Sequence, residues 1–319
     1  MTIAIAAYGP NAGRAVCRGL RAAEILGRGA IGGFAVFSVI DRHGRHRQVS
    51  CQDGGIAALP LDDGCLAARY AAVISSGPNR PEPLSQFLVG APDVGLVSGH
   101  RLPNRIGAAQ RPVNLAALDR MASGLSPSEA VEAVTRDDPE LDFGLVAVSV
   151  AGGIGFANTA RVARRADLGA ASRVTEACGY ALLCNSIHAI PGLPLDRVVG
   201  NIVWAELSGA DPSHAMARLD GPARIETGAQ DRIDLDDEDR VVRICSADPA
   251  AIADSTRSTV IYSRTPVWKG GRRLGTCLSE VSATVRDGRI LRDPAAENHF
   301  VIERERDGVP PSGLASPGA

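Results

Sequence analysis

Lysine is almost absent from this chain, since Lys269 is the single lysine among its 34 basic residues. The formal net charge is −2, so no overall positive field attracts nucleic acid. Aromatic residues make up only 4% of the chain, which is too few for a platform on which bases stack. No apolar run reaches the roughly 18 residues that a membrane-spanning helix needs. We therefore expect neither a nucleic-acid partner nor a membrane span.

Paired cysteine spacing is also lacking: the seven cysteines are scattered and include no Cys-x-x-Cys. An odd, scattered set argues against a disulfide framework and against a zinc site. The first residues have neither the basic region nor the long apolar region of a signal peptide. These features predict a cytoplasmic protein with reduced thiols and no metal site. We also expect no cofactor, and a small-molecule substrate or ligand as the partner.

Apolar periodicity in the first half predicts both strands and helices. The helix at 12–27 has an apolar face opposite its arginines, and a capping box at Ser126 and Glu129 begins another helix. The predicted strands are 2–8, 34–40, 45–51, 71–75, 94–98, 144–150 and 154–158. This mixture with hairpins indicates the α+β class.

The second half begins with apolar spacing typical of helices at 169–184 and 195–207. Strands are predicted at 240–245, 258–263 and 277–286, and the Pro/Gly/Ser-rich end is predicted to be disordered. We therefore divide the chain into a core at 1–165, a remainder of the fold at 166–306 and a tail at 307–319.

Thr2 is the first candidate for chemistry, because removal of Met1 would make it the N-terminal residue. Its hydroxyl is a nucleophile, and its α-amine, with a pKa of about 7.7–8.0, can act as the general base for that hydroxyl. The start of a buried strand would hold both groups rigidly. The alternative is that Met1 is retained and Thr2 is only a small residue after the initiator.

Residues 94–160 resemble an uncharacterised bacterial family in the N-terminal-nucleophile (Ntn) hydrolase superfamily. The matching stretches are GLVSGHRLPN, PVNLAALDRMASGLSPSEAVEAVTRDDPE and DFGLVAVSVAGGIGFANT, and that family also begins Met-Thr before an apolar strand. Residues 12–45 resemble the start of γ-glutamyltranspeptidase-like chains, another branch of the superfamily. The resemblance implies a four-layer αββα sandwich of antiparallel sheets and a homo-oligomer. It also implies amide-bond hydrolysis of a small amide or amino-acid derivative, with Thr2 as the catalytic residue.

Two departures from the superfamily pattern bear on this activity. The helix at 12–27 intervenes where most members turn directly from the first strand into the second, and the Thr-Thr-His stretch of the γ-glutamyltranspeptidase nucleophile is absent. Many members also place a lysine beside the nucleophile. In this chain only Lys269 could supply one, so activation of Thr2 would otherwise depend on its own amine.

Polar residues that follow two predicted strands are the candidates for substrate binding. After the strand at 94–98, Arg101 could clamp a substrate carboxylate, His100 could titrate near neutral pH and Asn104 could donate to an oxyanion. Asn158 and Thr159 end the second hairpin and offer a second polar set. The alternative is that both sets are solvated loop and strand ends.

Two other classes of protein stay open. The same fold could serve a non-catalytic ligand-binding or assembly protein. The chain could instead be a nucleotide-binding α/β enzyme, because Gly9 and Gly13 lie between a strand and a helix and Asp41 ends the next strand. A helix that crosses between parallel strands at 2–8 and 34–40 would favour this last class, and a central antiparallel sandwich would exclude it.

Overall fold

The computed structural model describes residues 1–78, 84–190, 192–291 and 297–305. The chain divides between Asp211 and Pro212 into two compact units. The sequence placed a boundary near residue 165, which lies inside the first unit. The tail predicted at 307–319 lies outside the described residues.

The first unit has ten strands and six helices within its described residues. The strands are β1 (Thr2–Tyr8), β2 (Phe34–Ile40), β3 (His46–Cys51), β4 (Tyr70–Ser76), β5 (Val89–Ala91), β6 (Gly95–Arg101), β7 (Phe143–Ser149), β8 (Ile154–Asn158), β9 (Leu168–Val174) and β10 (Gly179–Asn185). The helices are α1 (Ala12–Leu26), α2 (Asp63–Leu66), α3 (Val113–Ala122), α4 (Pro127–Asp137), α5 (Ala160–Ala163) and α6 (Leu195–Ser208).

Six of these strands form one antiparallel sheet in the order β3-β2-β4-β1-β10-β9. β1 lies inside this sheet between β4 and β10, and all seven of its residues are buried. Both of its faces are covered, because α1 packs on one face and the second sheet packs on the other. This two-sided burial explains why β1 is a continuous apolar run without alternation.

The other four strands form a second antiparallel sheet in the order β5-β6-β7-β8. One face contributes Leu96 and Val146 to a core shared with Ala4 and Ala6 of β1. The opposite face packs its apolar side chains against α3 and α4. α1 and α6 pack against each other on the far side of the six-stranded sheet.

Helix α1 has the amphipathic pattern that the sequence predicts. Its buried face is made of alanines with Val16 and Leu20, and Arg14 on the other side is exposed. A Cβ added at Gly19 would lie 2.3 Å from Val203 Cγ2, so the missing side chain allows α6 to approach closely. The capping box of Ser126 and Glu129 is also present at the start of α4, as predicted.

The second unit is built on a curled ten-stranded sheet, in the order β11-β20-β17-β16-β13-β14-β12-β19-β18-β15. Two of its pairings are parallel, β12 with β14 and β13 with β16, and the others are antiparallel. Its strands are β11 (His214–Arg218), β12 (Ala223–Thr227), β13 (Arg232–Leu235), β14 (Val241–Ser246), β15 (Ser255–Ile261), β16 (Pro266–Lys269), β17 (Arg272–Cys277), β18 (Val281–Arg286), β19 (Arg289–Leu291) and β20 (His299–Arg304).

The predicted α+β class with antiparallel sheets is confirmed, but the helix predicted at 169–184 is wrong. This segment is the hairpin of β9 and β10. β10 is buried on both faces, so its apolar residues do not alternate with polar ones and their spacing fits a helix equally well. The helix predicted at 195–207 is present as α6.

The described strands of the first unit do not form the parallel sheet of a dinucleotide-binding fold. β1 and β2 are separated by β4, and both pair with β4 in antiparallel fashion. The start of α1 is also covered, since Gly13 N donates to Ala68 O at 3.1 Å. In the part of the chain that the structure describes, no helix combines the length and the hydropathy needed to cross a bilayer.

Candidate functional site

Thr2 begins β1 on the face that packs against the four-stranded sheet. Side chains alternate along a strand, so Thr2 shares the face of Ala4 and Ala6, which belong to the core between the sheets. Only 1% of Thr2 is exposed. Its partners in register are Ser76 of β4 and Asn185 of β10. The interface between the sheets, apolar along most of β1, is therefore polar at the end where β1 begins.

His100 of β6 is the residue by which the second sheet contacts this polar end. Ser98 and His100 share the face of Leu96, which points into the core between the sheets. The imidazole is fully buried, with Nδ1 3.0 Å from Asn185 Oδ1 and Nε2 2.7 Å from Asn158 Oδ1. One side chain, that of Asn185, thus connects the imidazole to the backbone position beside the candidate nucleophile.

A chain of hydrogen bonds determines which nitrogen of His100 carries the proton. Ser186 Oγ donates to Asp167 Oδ2, so it accepts from Asn185 Nδ2 at 3.1 Å. The amide oxygen of Asn185 then faces His100, and Nδ1 of the ring must donate to it. In a neutral ring Nε2 is an acceptor and therefore requires the amide nitrogen of Asn158. The nitrogen and oxygen positions of an amide are interchangeable by rotation, and with the neutral ring the nitrogen occupies the position 2.7 Å from Nε2.

The two ends of this chain are held in different charge states. Burial lowers the pKa of His100 below its ordinary value of 6.5, so the ring is neutral at neutral pH. At the other end, hydrogen bonds from Arg165 and Ser186 hold the pKa of Asp167 well below its usual range. A surface carboxylate therefore orients a neutral buried imidazole through Ser186 and Asn185.

Ser98 adds a polar group that has no partner in the described residues. Its hydroxyl oxygen is buried and makes no hydrogen bond there. Leaving such a group unsatisfied costs about 1–3 kcal/mol. It lies two residues before His100 on the same face of β6, so this part of the interface contains a fully buried hydroxyl without a partner among the described residues.

Of the predicted site residues, the structure gathers Thr2, His100 and Asn158 at this end of the interface. Arg101 does not join them as a substrate clamp, because its guanidinium forms a two-point ion pair with Asp142. Arg101 also has a positive φ of 66°, so the backbone turns away at the end of β6.

Asn104 and Thr159 also lie outside the cluster. Asn104 is half-buried in the turn after β6. Thr159 is fully buried, but its hydroxyl donates to Leu141 O at 2.7 Å and accepts from Val162 N at 3.2 Å. Thr159 is therefore the N-cap of α5 and has a structural role.

Sequence reasoning missed Asn185, Ser76 and Ser98. Asn185 follows the segment expected to be helical, so its position opposite Thr2 was hidden. Ser76 ends β4, and its hydroxyl donates to Met1 O at 2.8 Å. The signal that could have found these residues is a polar residue at the end of each apolar strand, at Ser76 in AAVISS and Asn185 in YALLCN.

The single lysine lies in the second unit. Lys269 Nζ is 2.6 Å from Asp239 Oδ1 and 3.0 Å from Asp237 O. Within the described residues, no group of three or more His, Cys, Asp or Glu side chains is arranged to hold a metal ion. The candidate site therefore consists of hydroxyl, amide and imidazole groups.

Comparison with known families identifies both parts of the chain. Residues 2–216, about two thirds of the chain, match the family described as "Domain of unknown function (DUF6963)". Residues 222–298 match the family described as "Domain of unknown function (DUF7259)". No curated protein matches the chain.

Proposed function

The chain belongs to the DUF6963 family over residues 2–216, whose description names no activity, and we propose an activity from the geometry around Thr2. The protein is an Ntn-type amidohydrolase that acts on a small amide or amino-acid derivative. Met1 is 46% exposed, so an aminopeptidase can reach it, and its removal leaves Thr2 as the N-terminal residue. Thr2 then supplies both the nucleophile and the base.

The order of the layers supports the Ntn-type fold in this proposal. Helices α1 and α6, the six-stranded sheet, the four-stranded sheet, and helices α3 and α4 follow one another through the first unit. This is the αββα order expected from the resemblance. The nucleophile is assigned to the first residue of an interior strand, on the face toward the partner sheet.

The observation that carries the proposal is the polar cluster at the start of β1. Ser76 and Asn185 flank Thr2, and Asn185 contacts His100 from the opposite sheet. Elsewhere the core of the same interface consists of alanine, valine, leucine, isoleucine, phenylalanine and tyrosine side chains. Burying hydrogen-bonding groups in an apolar interface is costly unless they are satisfied or used, so their concentration beside Thr2 favours a reactive site.

In the acylation step, the neutral α-amine of Thr2 accepts the proton of Oγ1, directly or through a water molecule. Oγ1 attacks the amide carbonyl carbon, and the carbonyl oxygen becomes an oxyanion. The Ser98 hydroxyl and the Asn158 amide are the donors that we assign to this oxyanion. The ammonium then gives its proton to the amide nitrogen, the C–N bond breaks and the amine product leaves an ester on Oγ1.

In the deacylation step, the same amine accepts a proton from water, and the resulting hydroxide attacks the ester carbonyl. The C–Oγ1 bond breaks, Oγ1 recovers its proton from the ammonium and the carboxylic acid is released. His100 does not transfer a proton in this scheme. Its neutral ring holds Asn185 and Asn158 in place through its two nitrogens.

Intact-mass measurement and substitution of Thr2 test the proposal together. We expect purified protein to lack Met1 and to hydrolyse at least one compound in a panel of small amides and N-acyl amino acids. Thr2→Ala should abolish turnover, and Thr2→Ser, which keeps a hydroxyl and an α-amine, should retain part of it. Active protein that retains Met1, or a Thr2→Ala variant with full turnover, would refute the proposal.

The burial of the cluster favours a second candidate, a non-catalytic ligand-binding or assembly protein on the same fold. Thr2 and Asn185 are at most 2% exposed, and Ser98 and His100 are fully buried. A polar cluster of this kind can also serve only to fix two sheets in register. No turnover of any amide, together with a ligand that raises the melting temperature, would favour this function.

A further inference from the structure

A second feature of the first unit lies at the other end of the six-stranded sheet. A pocket of about 680 Å³ is formed by the turn between β2 and β3, by α2 and by the start of β4. Tyr70 in its wall is paired in register with Tyr8, whereas Thr2 is paired with Ser76. Thr2 and Tyr8 are six residues apart on β1, about 20 Å at strand spacing. The pocket is therefore separate from the Thr2 site.

The size and the walls of this pocket suit a small organic molecule. Pockets that bind small ligands generally measure about 300–1,000 Å³. Ile40 and Ala68, each 3% exposed, contribute apolar surface, and Tyr70 is half-buried beside them. One part of a ligand can thus be covered by apolar groups.

Four arginines give the pocket its charge, namely Arg42, Arg45, Arg47 and Arg69. Two aspartates, Asp41 and Asp63, also line it, and Asp62 pairs with Arg47 beside it, which leaves an excess of one positive charge. An excess of guanidinium groups around a concave surface attracts anions and offers them paired N–H donors.

Arg45 is held in place by a buried carboxylate. Asp41 Oδ2 accepts from Arg45 Nε at 3.1 Å and from a terminal guanidinium nitrogen at 2.9 Å. Its other oxygen accepts from the backbone N–H groups of His43 and Arg45. These bonds, chiefly the backbone bond from Arg45, lower the pKa of Asp41 to about 2. Asp41 therefore stays ionised and fixes both the turn and the guanidinium.

Arg47 is fixed in the same manner by Asp62. Its two terminal nitrogens donate to the two carboxylate oxygens at 3.2 and 2.7 Å. Asp62 is also the N-cap of α2, where it accepts from Cys65 N at 2.7 Å. Two of the four arginines are thus oriented before any ligand arrives, which reduces the entropy that binding must remove.

Arg42 and Arg69 are exposed and have no carboxylate partner among the described residues. Arg42 Nε donates to His43 Nε2 at 3.2 Å. The guanidinium of Arg69 makes no hydrogen bond within the described chain. These two groups retain donors for an external anion.

We propose that this pocket binds a small organic anion, with the phosphate or carboxylate group on Arg42 and Arg69 and the apolar part against Ile40 and Tyr70. The site is independent of the Thr2 chemistry. Arg45 and Arg47 line the same pocket as fixed donors, held by Asp41 and Asp62. A guanidinium group can donate two parallel N–H bonds to two oxygen atoms of one anionic group. Phosphates and carboxylates both present such a pair of oxygens, so the same arginines can recognise either group.

Calorimetric titration of the full chain at constant ionic strength tests this site. The probes are pyrophosphate, citrate and phenyl phosphate, with inorganic phosphate as the reference for phenyl phosphate, so that phosphate, carboxylate and an apolar body are compared. We expect at least one probe to bind at millimolar concentration or below, and phenyl phosphate to bind more tightly than inorganic phosphate. The double variant Arg42→Gln/Arg69→Gln should weaken that binding by about tenfold or more, the loss of one charge-assisted contact or more.

The matched control is Arg105→Gln/Arg136→Gln, which removes two exposed arginines elsewhere on the first unit that also lack a carboxylate partner among the described residues. Binding should be unchanged in this variant, and both variants should keep the melting temperature of the parent protein. Absence of binding for all three probes, or equal weakening in both variants, would overturn the proposal. Neither result depends on amide turnover, so this test leaves the proposal for Thr2 unaffected, and the two proposals can fail independently.

Discussion

His100 and Asn185 meet across the interface between the two sheets of the first unit, with 3.0 Å between Nδ1 and Oδ1. Asn185 is also the register partner of Thr2. The amide of Asn185 is oriented from its other side by Ser186 and, through it, by Asp167. The protonation state of one buried imidazole therefore affects both the joining of the sheets and the surroundings of the candidate nucleophile.

The lowered pKa of His100 predicts how the stability of the fold depends on pH. Burial lowers the pKa of His100 below 6.5, so between the two pKa values the unfolded chain binds more protons than the folded chain. The free energy of unfolding should therefore fall as the pH drops below about 6.5. We expect the urea midpoint to be lower at about pH 5 than at about pH 7.

The contribution of His46 to the pH dependence must be separated from that of His100, because burial lowers the pKa of His46 as well. His100→Gln and His46→Gln should each remove part of the pH dependence. Carboxylates with lowered pKa values, such as Asp167, lose their stabilising effect only below about pH 4, so they do not interfere. A His100→Gln variant with the full pH dependence of the parent would contradict the neutral buried state.

Gly144 leaves the space in which His100 and Asn158 meet. A Cβ at this position would lie 2.1 Å from Asn158 Oδ1 and 2.4 Å from His100 Nε2. Gly144→Ala should therefore displace the contact, lower the free energy of unfolding by about 1–3 kcal/mol and reduce amide turnover. Urea unfolding and turnover measure the two effects. Gly221→Ala is the control, since nothing lies within 4 Å of that Cβ, and unchanged turnover in Gly144→Ala would show that the contact is dispensable.

The parts of the fold that the sequence predicted are those with local signals. α1 has an apolar stripe opposite arginines, α4 has a capping box, and the hairpin of β7 and β8 has glycines at its turn. Gly152 and Gly153 both adopt positive φ there, which a side chain would disfavour. In each case a few neighbouring residues determine the structure.

The features that the sequence did not predict depend on contacts between residues far apart in the chain. The segment of β9 and β10 resembles a helix in sequence because β10 is covered by α6 on one face and by the second sheet on the other. Its apolar residues therefore do not alternate with polar ones. Asn185 was missed with it. His100 and Asn158 were chosen as residues that follow or end strands, but the fully buried position of His100 between two asparagines follows only from the packing of the sheets.

The cysteines should show a clear order of reactivity. Burial raises the pKa of Cys184 and Cys277 to about 12 and that of Cys17 to about 11, and the thiolate is the reactive form. We expect iodoacetamide to label Cys51 and Cys245, which are partly exposed, before the buried Cys184 and Cys277. Peptide mass spectrometry of the native protein measures the order, and unfolding in urea should remove it. Native labelling of Cys184 as fast as Cys245 would contradict its buried position in β10.

Asn158 and Thr159 are adjacent in the chain, but their contacts predict different effects of substitution on His100. Thr159 caps α5 and donates to Leu141 O, so Thr159→Ala should lower the free energy of unfolding by about 1–2 kcal/mol. Its effect on the His100 ring should be small. Asn158→Ala removes the partner of His100 Nε2 and should shift the ring nitrogen resonances of His100 and reduce turnover.

Nitrogen NMR of the histidines and urea unfolding, applied to both variants, separate the two roles. The structural role of Thr159 predicts a stability loss with an unchanged His100 spectrum, because the Thr159 hydroxyl contacts only backbone groups in the described residues. The role of Asn158 predicts a changed His100 spectrum together with a stability loss, because its side-chain amide lies 2.7 Å from the ring nitrogen and its removal leaves a buried group unsatisfied. If Thr159→Ala changed the His100 resonances as much as Asn158→Ala did, the two residues would act as one unit, and the assignment of Asn158 alone to the site would fail.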